Sequence, residues 1–135
     1  MAPEPFQYAT IRVVPRVERE EFLNAGVIVF CPTMSFLQAR VALDPRRLRL
    51  LAPDVNAEEI EAHLNARVRV AAGEADAGPI ARMSPSERFH WLVAPSSTVI
   101  QTSSVHSGLC DEPQGTLDRL FDTLVRTGNL PRQLD

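Results

Sequence analysis

Residues 19–32 read REEFLNAGVIVFCP, and the pattern inside this stretch decides the fold. A polar, acidic lead passes directly into an apolar run that stops at Pro32. Written as a strand from Phe22 to Cys31, one face carries Phe22, Asn24, Gly26, Ile28 and Phe30. The other carries Leu23, Ala25, Val27, Val29 and Cys31. Both faces are largely apolar, as a central strand covered on each side requires. Asn24 and Gly26 are the exceptions. An amide buried there needs a hydrogen-bond partner, and a glycine there marks a bulge or the close approach of another segment.

The flanking segments read as strands too. FQYATIRVV, residues 6–14, is rich in β-branched and aromatic residues and ends at Pro15. It sets Ala9, Ile11 and Val13 on one face and Tyr8, Thr10, Arg12 and Val14 on the other. After the turn CPTMS, FLQARVAL turns Leu37, Ala39, Val41 and Leu43 to the core. Three strands with short connections form an antiparallel meander.

From residue 44 the period changes to that of helices. Asp44 caps a short helix with Pro45 in its first position. Asn56 with Glu59 opens a second, whose apolar stripe is Ile60 and Leu64. AAGEADAGP, residues 71–79, reads as a loop. SPSERFHWLVAP, residues 84–95, is the clearest helix: Ser84 caps it, Glu87 completes the capping box, and Phe89, Leu92 and Val93 are its buried side. Strand character returns over about residues 98–104, and His106 ahead of Gly108 reads as a turn.

A last helix, capped by Asp111, carries Leu117, Leu120, Phe121, Leu124 and Val125 as a full amphipathic stripe. Gly128 stops it, and residues 128–135 read as a flexible tail. The order β-β-β-α-α-α-β-α does not alternate strand and helix. It predicts an α+β fold: one domain over residues 1–135, ordered over about 6–127. The expected architecture is a mainly antiparallel sheet of about four strands with three to four helices packed on it.

Composition bounds the function. With 135 residues, 44% apolar and 23% charged, the chain can bury a core without metals or disulfides. A formal charge of −3 speaks against affinity built on neutralising many phosphates. The Arg40–Arg49 basic patch (Arg40, Arg46, Arg47 and Arg49) reads first as a solvated face. A nucleic-acid-binding module built on it is a minor alternative.

Cys31 and Cys110 lack the paired spacing of a zinc site, and Asp111 beside Cys110 disfavours a thiolate. No metal and no cofactor is expected. The N-terminus has no basic start followed by an apolar core, and no apolar run approaches the ~20 residues that span a bilayer. These features predict a cytoplasmic protein with no membrane partner.

No Walker loop, dinucleotide fingerprint, zincin helix or nucleophile elbow occurs. What remains are polar clusters. Arg19, Glu20, Glu21 and Asn24 gather at the start of the central strand, where Glu21 and Asn24 offer a carboxylate and an amide to a cation or polar ligand and the simpler reading is structural. Ser96, Ser97, Ser103, Ser104, His106, Ser107 and Asp111 contain the residue types of a hydrolase triad without its geometry. Arg88 and Trp91 lie three residues apart on one helix, so the arginine can cover the ring. His63 and His90 read as exposed.

Three of these segments together resemble a bacterial family. REEFLNAGVIVF looks like the R-x-E-x-x-N-x-G-V strand motif of the domain of unknown function 3037 family. SERFHWLVAPSSTVIQTSSVHSGLCDEP resembles its R-F-x-x-L-x-A-P-x-S followed by S-x-V-H-x-G, and TLDRLFDTLV resembles its closing helix. The resemblance covers about residues 6–126. Its polar positions fall on Arg19, Glu21, Asn24, Arg88, Ser97, His106 and Gly108, while Ala25 replaces the usual valine.

The resemblance assigns no activity. It implies an accessory or protein-interaction role beside a HipA-like kinase, which such proteins are often encoded next to. The rival expectation is a hydrolase or nuclease-like enzyme using Glu21 and His106.

Overall fold

The computed structural model describes residues 2–126. Within them lies one antiparallel sheet of five strands: β1 (Glu4–Val13), β2 (Leu23–Cys31), β3 (Phe36–Val41), β4 (Ile100–Thr102) and β5 (His106–Cys110). Both β4 and β5 pair with the free side of β1, so β1 and β2 are central and β3 closes the opposite edge. Four helices cover the sheet: α1 (Pro45–Leu51), α2 (Ala57–Ala72), α3 (Pro85–Leu92) and α4 (Pro113–Phe121). A π-turn (Asp122–Arg126) continues α4. The expected α+β architecture is what forms.

Two apolar clusters sandwich the sheet. On one face Ile11, Val13, Ile28, Phe30 and Leu37 meet Leu48 of α1, Ile60 and Leu64 of α2, and Phe89 and Leu92 of α3. On the other, Phe6, Val27, Val29 and Cys31 meet Leu117, Leu120 and Phe121 of α4, with Val125. The two-sided apolar pattern of β2 thus finds a helical layer on each side.

The strict alternation read from β2 does not survive. Ile11 pairs with Gly26 and Arg12 with Asn24, which leaves Ala25 unopposed in a β-bulge. One extra residue shifts the pleat by one position. Leu23 and Ala25 consequently join Ile28 and Phe30 under α1–α3, instead of following Val27. The bulge keeps its bond on the far side, where the Ala42 N–H donates to the Ala25 carbonyl at 2.8 Å. Gly26 has no room for a side chain: a Cβ there would lie 2.8 Å from the Arg40 carbonyl oxygen and 2.8 Å from Val41 Cγ1.

The late strand is longer than the sequence pattern shows. His106 is no turn residue; it opens β5, pairing with Tyr8, and the ladder runs on to Cys110 opposite Glu4. The interruption at residues 103–105 hid this continuity, because it breaks the period. Ser103 bridges the break. Its N–H donates to the Thr10 carbonyl at 2.9 Å, and its hydroxyl accepts the Thr10 N–H at 2.9 Å, standing in for a ladder carbonyl.

The helix caps follow local chemistry. Asp44 accepts from the Arg46 and Arg47 N–H groups, Asn56 from Glu59, and Ser84 and Glu87 form both halves of a capping box. At α4 the expectation is off by one residue: Glu112, not Asp111, accepts the Gly115 N–H at 2.6 Å. Pro113 holds the first helical position, so the cap falls on the residue before it. The Gly128 stop and the 128–135 tail lie outside the described residues.

Gly26→Ala should lower folding stability by about 1–3 kcal/mol through overpacking against backbone. A urea midpoint that falls with an unchanged slope would register it; an unchanged midpoint would contradict the close approach.

Candidate functional site

The polar motif residues are drawn into separate contacts. Arg19 ends the 3₁₀ turn Val17–Arg19 between β1 and β2, and Glu20 turns the chain in a left-handed conformation (φ 56°). Glu21 then receives two bonds from Arg19, Nε at 2.8 Å and Nη2 at 3.0 Å. Hydrogen bonding to that guanidinium holds the Glu21 carboxyl below the usual carboxylate range. The bulge aims Asn24 toward α4, where its Nδ2 donates to the Leu124 carbonyl at 3.0 Å and ties the π-turn to the sheet.

Arg88 is a brace between helices. It donates to the Met83 carbonyl at 2.8 Å and to the Ala71 carbonyl at 3.3 Å. Ala71 lies in the last turn of α2, where carbonyls lack intrahelical partners. The guanidinium lies against Gly73, the left-handed residue (φ 72°) that ends α2, so a Cβ there would come within 3.2 Å of Arg88 Cζ.

Ser97 is exposed on the α3–β4 loop, while its neighbours Ser96 and Thr98 bond each other at 2.8 Å. His106 is exposed and stacks on Tyr8 with ring centroids 5.1 Å apart. The structure does not bring Glu21 and His106 together. His106 pairs with Tyr8, whereas Glu21 lies beyond the Val13–Leu23 pair, at least five residues or about 16 Å along β1. The pairing required by the hydrolase reading is therefore absent, because β5 joins the opposite end of β1.

The four arginines of residues 40–49 do not make one patch either. Arg40 leaves the sheet on the α4 side, bonded to Asp118 at 3.0 Å and lying 4.2 Å over the Phe121 ring. Arg46, Arg47 and Arg49 sit on α1, whose Leu48 belongs to the opposite layer.

A groove forms where none of the motif residues lies. It offers about 620 Å³ between α2, Trp91 of α3, and residues 98–100 at the start of β4. Val55, Ile60, Val70 and Val99 make much of its wall, and Glu59, His63 and Arg67 line it at four-residue spacing along α2. Arg67 lies 5.8 Å from the centre of the Trp91 ring, in the position the sequence pattern suggests for Arg88. Among the described residues Arg67 has no ion pair and no hydrogen bond. Burial pushes its guanidinium below the ordinary arginine value.

The nearby acids are committed or distant. Arg69 holds Glu74 and Asp76 at 2.8 Å each, and Glu59 is two turns up α2, about 12 Å along the axis. The only sequence signal for this site was the Glu59–His63–Arg67 row beside the Ile60–Leu64 stripe. Its significance needed knowledge of what packs alongside.

The family model described as Protein of unknown function (DUF3037) matches residues 8–125. The chain belongs to the DUF3037 family. No curated protein and no solved structure matches it. The DUF3037 match runs from β1 into the π-turn and so contains both the scattered polar motif and the groove. Among the described residues no group of three or more His, Cys, Asp or Glu side chains stands where it could hold a metal ion. No described helix is long and apolar enough to cross a membrane.

Both cysteines of this DUF3037 chain are buried in the α4-side cluster. Burial, reinforced by the neighbouring Cys31, pushes the Cys110 thiol up. The folded thiol keeps its proton where the unfolded one ionises. Its contribution to stability is complete below the ordinary thiol range and is lost as pH rises toward the folded value. Urea unfolding at rising alkaline pH should show that decline, and Cys110→Ala should flatten it. Asn24→Ala should cost about 1 kcal/mol in the same assay, from the lost bond to Leu124.

Proposed function

We propose that this DUF3037 chain is a non-catalytic accessory domain that works by binding another protein, and that its partner is a HipA-like kinase. The observation that carries the reading is where four polar motif residues, Arg19, Glu21, Asn24 and Arg88, spend their hydrogen bonds. Arg19 pairs with Glu21, Asn24 holds the Leu124 carbonyl, and Arg88 holds the carbonyls of Ala71 and Met83. Side chains engaged in this way stiffen turns and join elements; a general base or nucleophile needs a free atom facing substrate.

The motif therefore supports a rigid scaffold, and binding falls to the surface around it. That surface carries apolar side chains with little cover, Leu50 at 86% exposure and Leu109 at 68%. A bacterial, cytoplasmic setting with both thiols reduced belongs to the same proposal.

Co-expression of the chain with a HipA-like kinase from the same genome, followed by affinity capture and size-exclusion chromatography, tests the reading. The expected result is a stable complex and a changed rate of kinase phosphorylation. Separate elution of the two proteins with unaltered kinase activity would remove it.

A further inference from the structure

We propose that the groove between α2, Trp91 and the start of β4 is a binding site for a small amphipathic monocarboxylate. The apolar body of the ligand lies against Trp91, Ile60 and Val70, and its carboxylate meets Arg67. This goes beyond the accessory role above and does not depend on it. A domain with such a site responds to a metabolite as well as to a protein.

Shape argues first. About 620 Å³ falls in the range of small-molecule sites, which are concave, mostly apolar and carry a few convergent polar groups. The wall comes from three elements distant in sequence, so the groove is a product of the folded core.

Charge then selects the ligand. Arg67 is the cation in the wall without a protein partner among the described residues, and the Trp91 ring beside it limits its hydration. Its planar fork is preorganised for two parallel bonds to a carboxylate. His63, one turn away, adds a second donor on the same side.

The far end of the groove restricts the charge to one. The positive end of α2 lies there, but Glu58 and Glu59 occupy its first turn and Asn56 caps it. A second anionic group reaching that end would meet Glu59. A dianion such as a phosphate monoester would leave part of its charge uncompensated by a single guanidinium. An acidic side chain of a protein offers the same carboxylate, and the capped peptide in the test below separates that source from a free molecule.

Trp91 is the only tryptophan of the chain, so its emission reports the groove directly. The protein is titrated with hydrocinnamate, with hydrocinnamamide, and with an end-capped phenylalanyl-glutamate peptide. Hydrocinnamate should change the emission saturably, and the amide, equal in shape but uncharged, should bind at least about tenfold more weakly. Arg67→Gln should abolish the preference for acid over amide, weakening acid binding at least about tenfold.

The acid-to-amide ratio on the unaltered protein stands even if that variant fails to fold. Absence of a saturable change with hydrocinnamate, equal binding of acid and amide, or a preference that survives Arg67→Gln would overturn the proposal. Tighter binding of the capped peptide than of hydrocinnamate would also overturn it, in favour of a protein ligand. None of these outcomes bears on whether the kinase complex forms.

Discussion

Strand β2 has to bury both of its faces at once, and the rest of the fold follows from how it does so. A strand apolar on each side is stable only between two layers, so helices are required above and below the sheet. The chain supplies α1–α3 on one side and α4 on the other. The bulge at Ala25 adjusts this arrangement at the point where the strand begins. It lets Leu23 and Ala25 reach the larger cluster and sends Asn24 to the smaller one, where its amide finds the Leu124 carbonyl. Gly26 lets β3 close against the bulge without a side chain between them.

Seen from this strand, several of the other polar residues share a purpose. Arg19 and Glu21 fix the turn that delivers the chain into β2. Arg88 draws α3 onto the end of α2, and Ser103 mends the ladder where β4 passes into β5. Arg88 and Ser103 satisfy backbone groups that folding would otherwise leave unpaired, a condition whose neglect costs more than the bond itself returns. The glycines that accompany them, Gly73 under Arg88 and Gly108 over the Phe6 ring, are places where another group occupies the space of a Cβ.

The groove arises from the same packing. The Ile60–Leu64 stripe turns α2 onto the sheet, which leaves Glu59, His63 and Arg67 along the flank facing Trp91. The arginine that covers Trp91 thus comes from another helix, and the arginine nearest to it in sequence works elsewhere. Three residues of separation on a helix establish a shared face, but not which groups from other helices compete for it.

Periodicity and capping chemistry determined the elements: Ser84 and Glu87 as a closed box, Asp44 before Pro45, the Leu117–Val125 stripe, and β2 as the centre. These are local properties, set by bonds and side-chain spacings within a few residues. The family was legible as well, because its motifs are ordered runs of sequence. The cap at Glu112 was local too, set by Pro113 after it, whereas the phase of β2 before Gly26 and the continuation of the last strand to Cys110 were decided by pairing with β1. The separation of Glu21 from His106 and the meeting of Arg67 with Trp91 were tertiary decisions. The physical reason is one of range: helix and strand patterns are written in short spacings, whereas a site depends on which distant surfaces the buried core brings into contact.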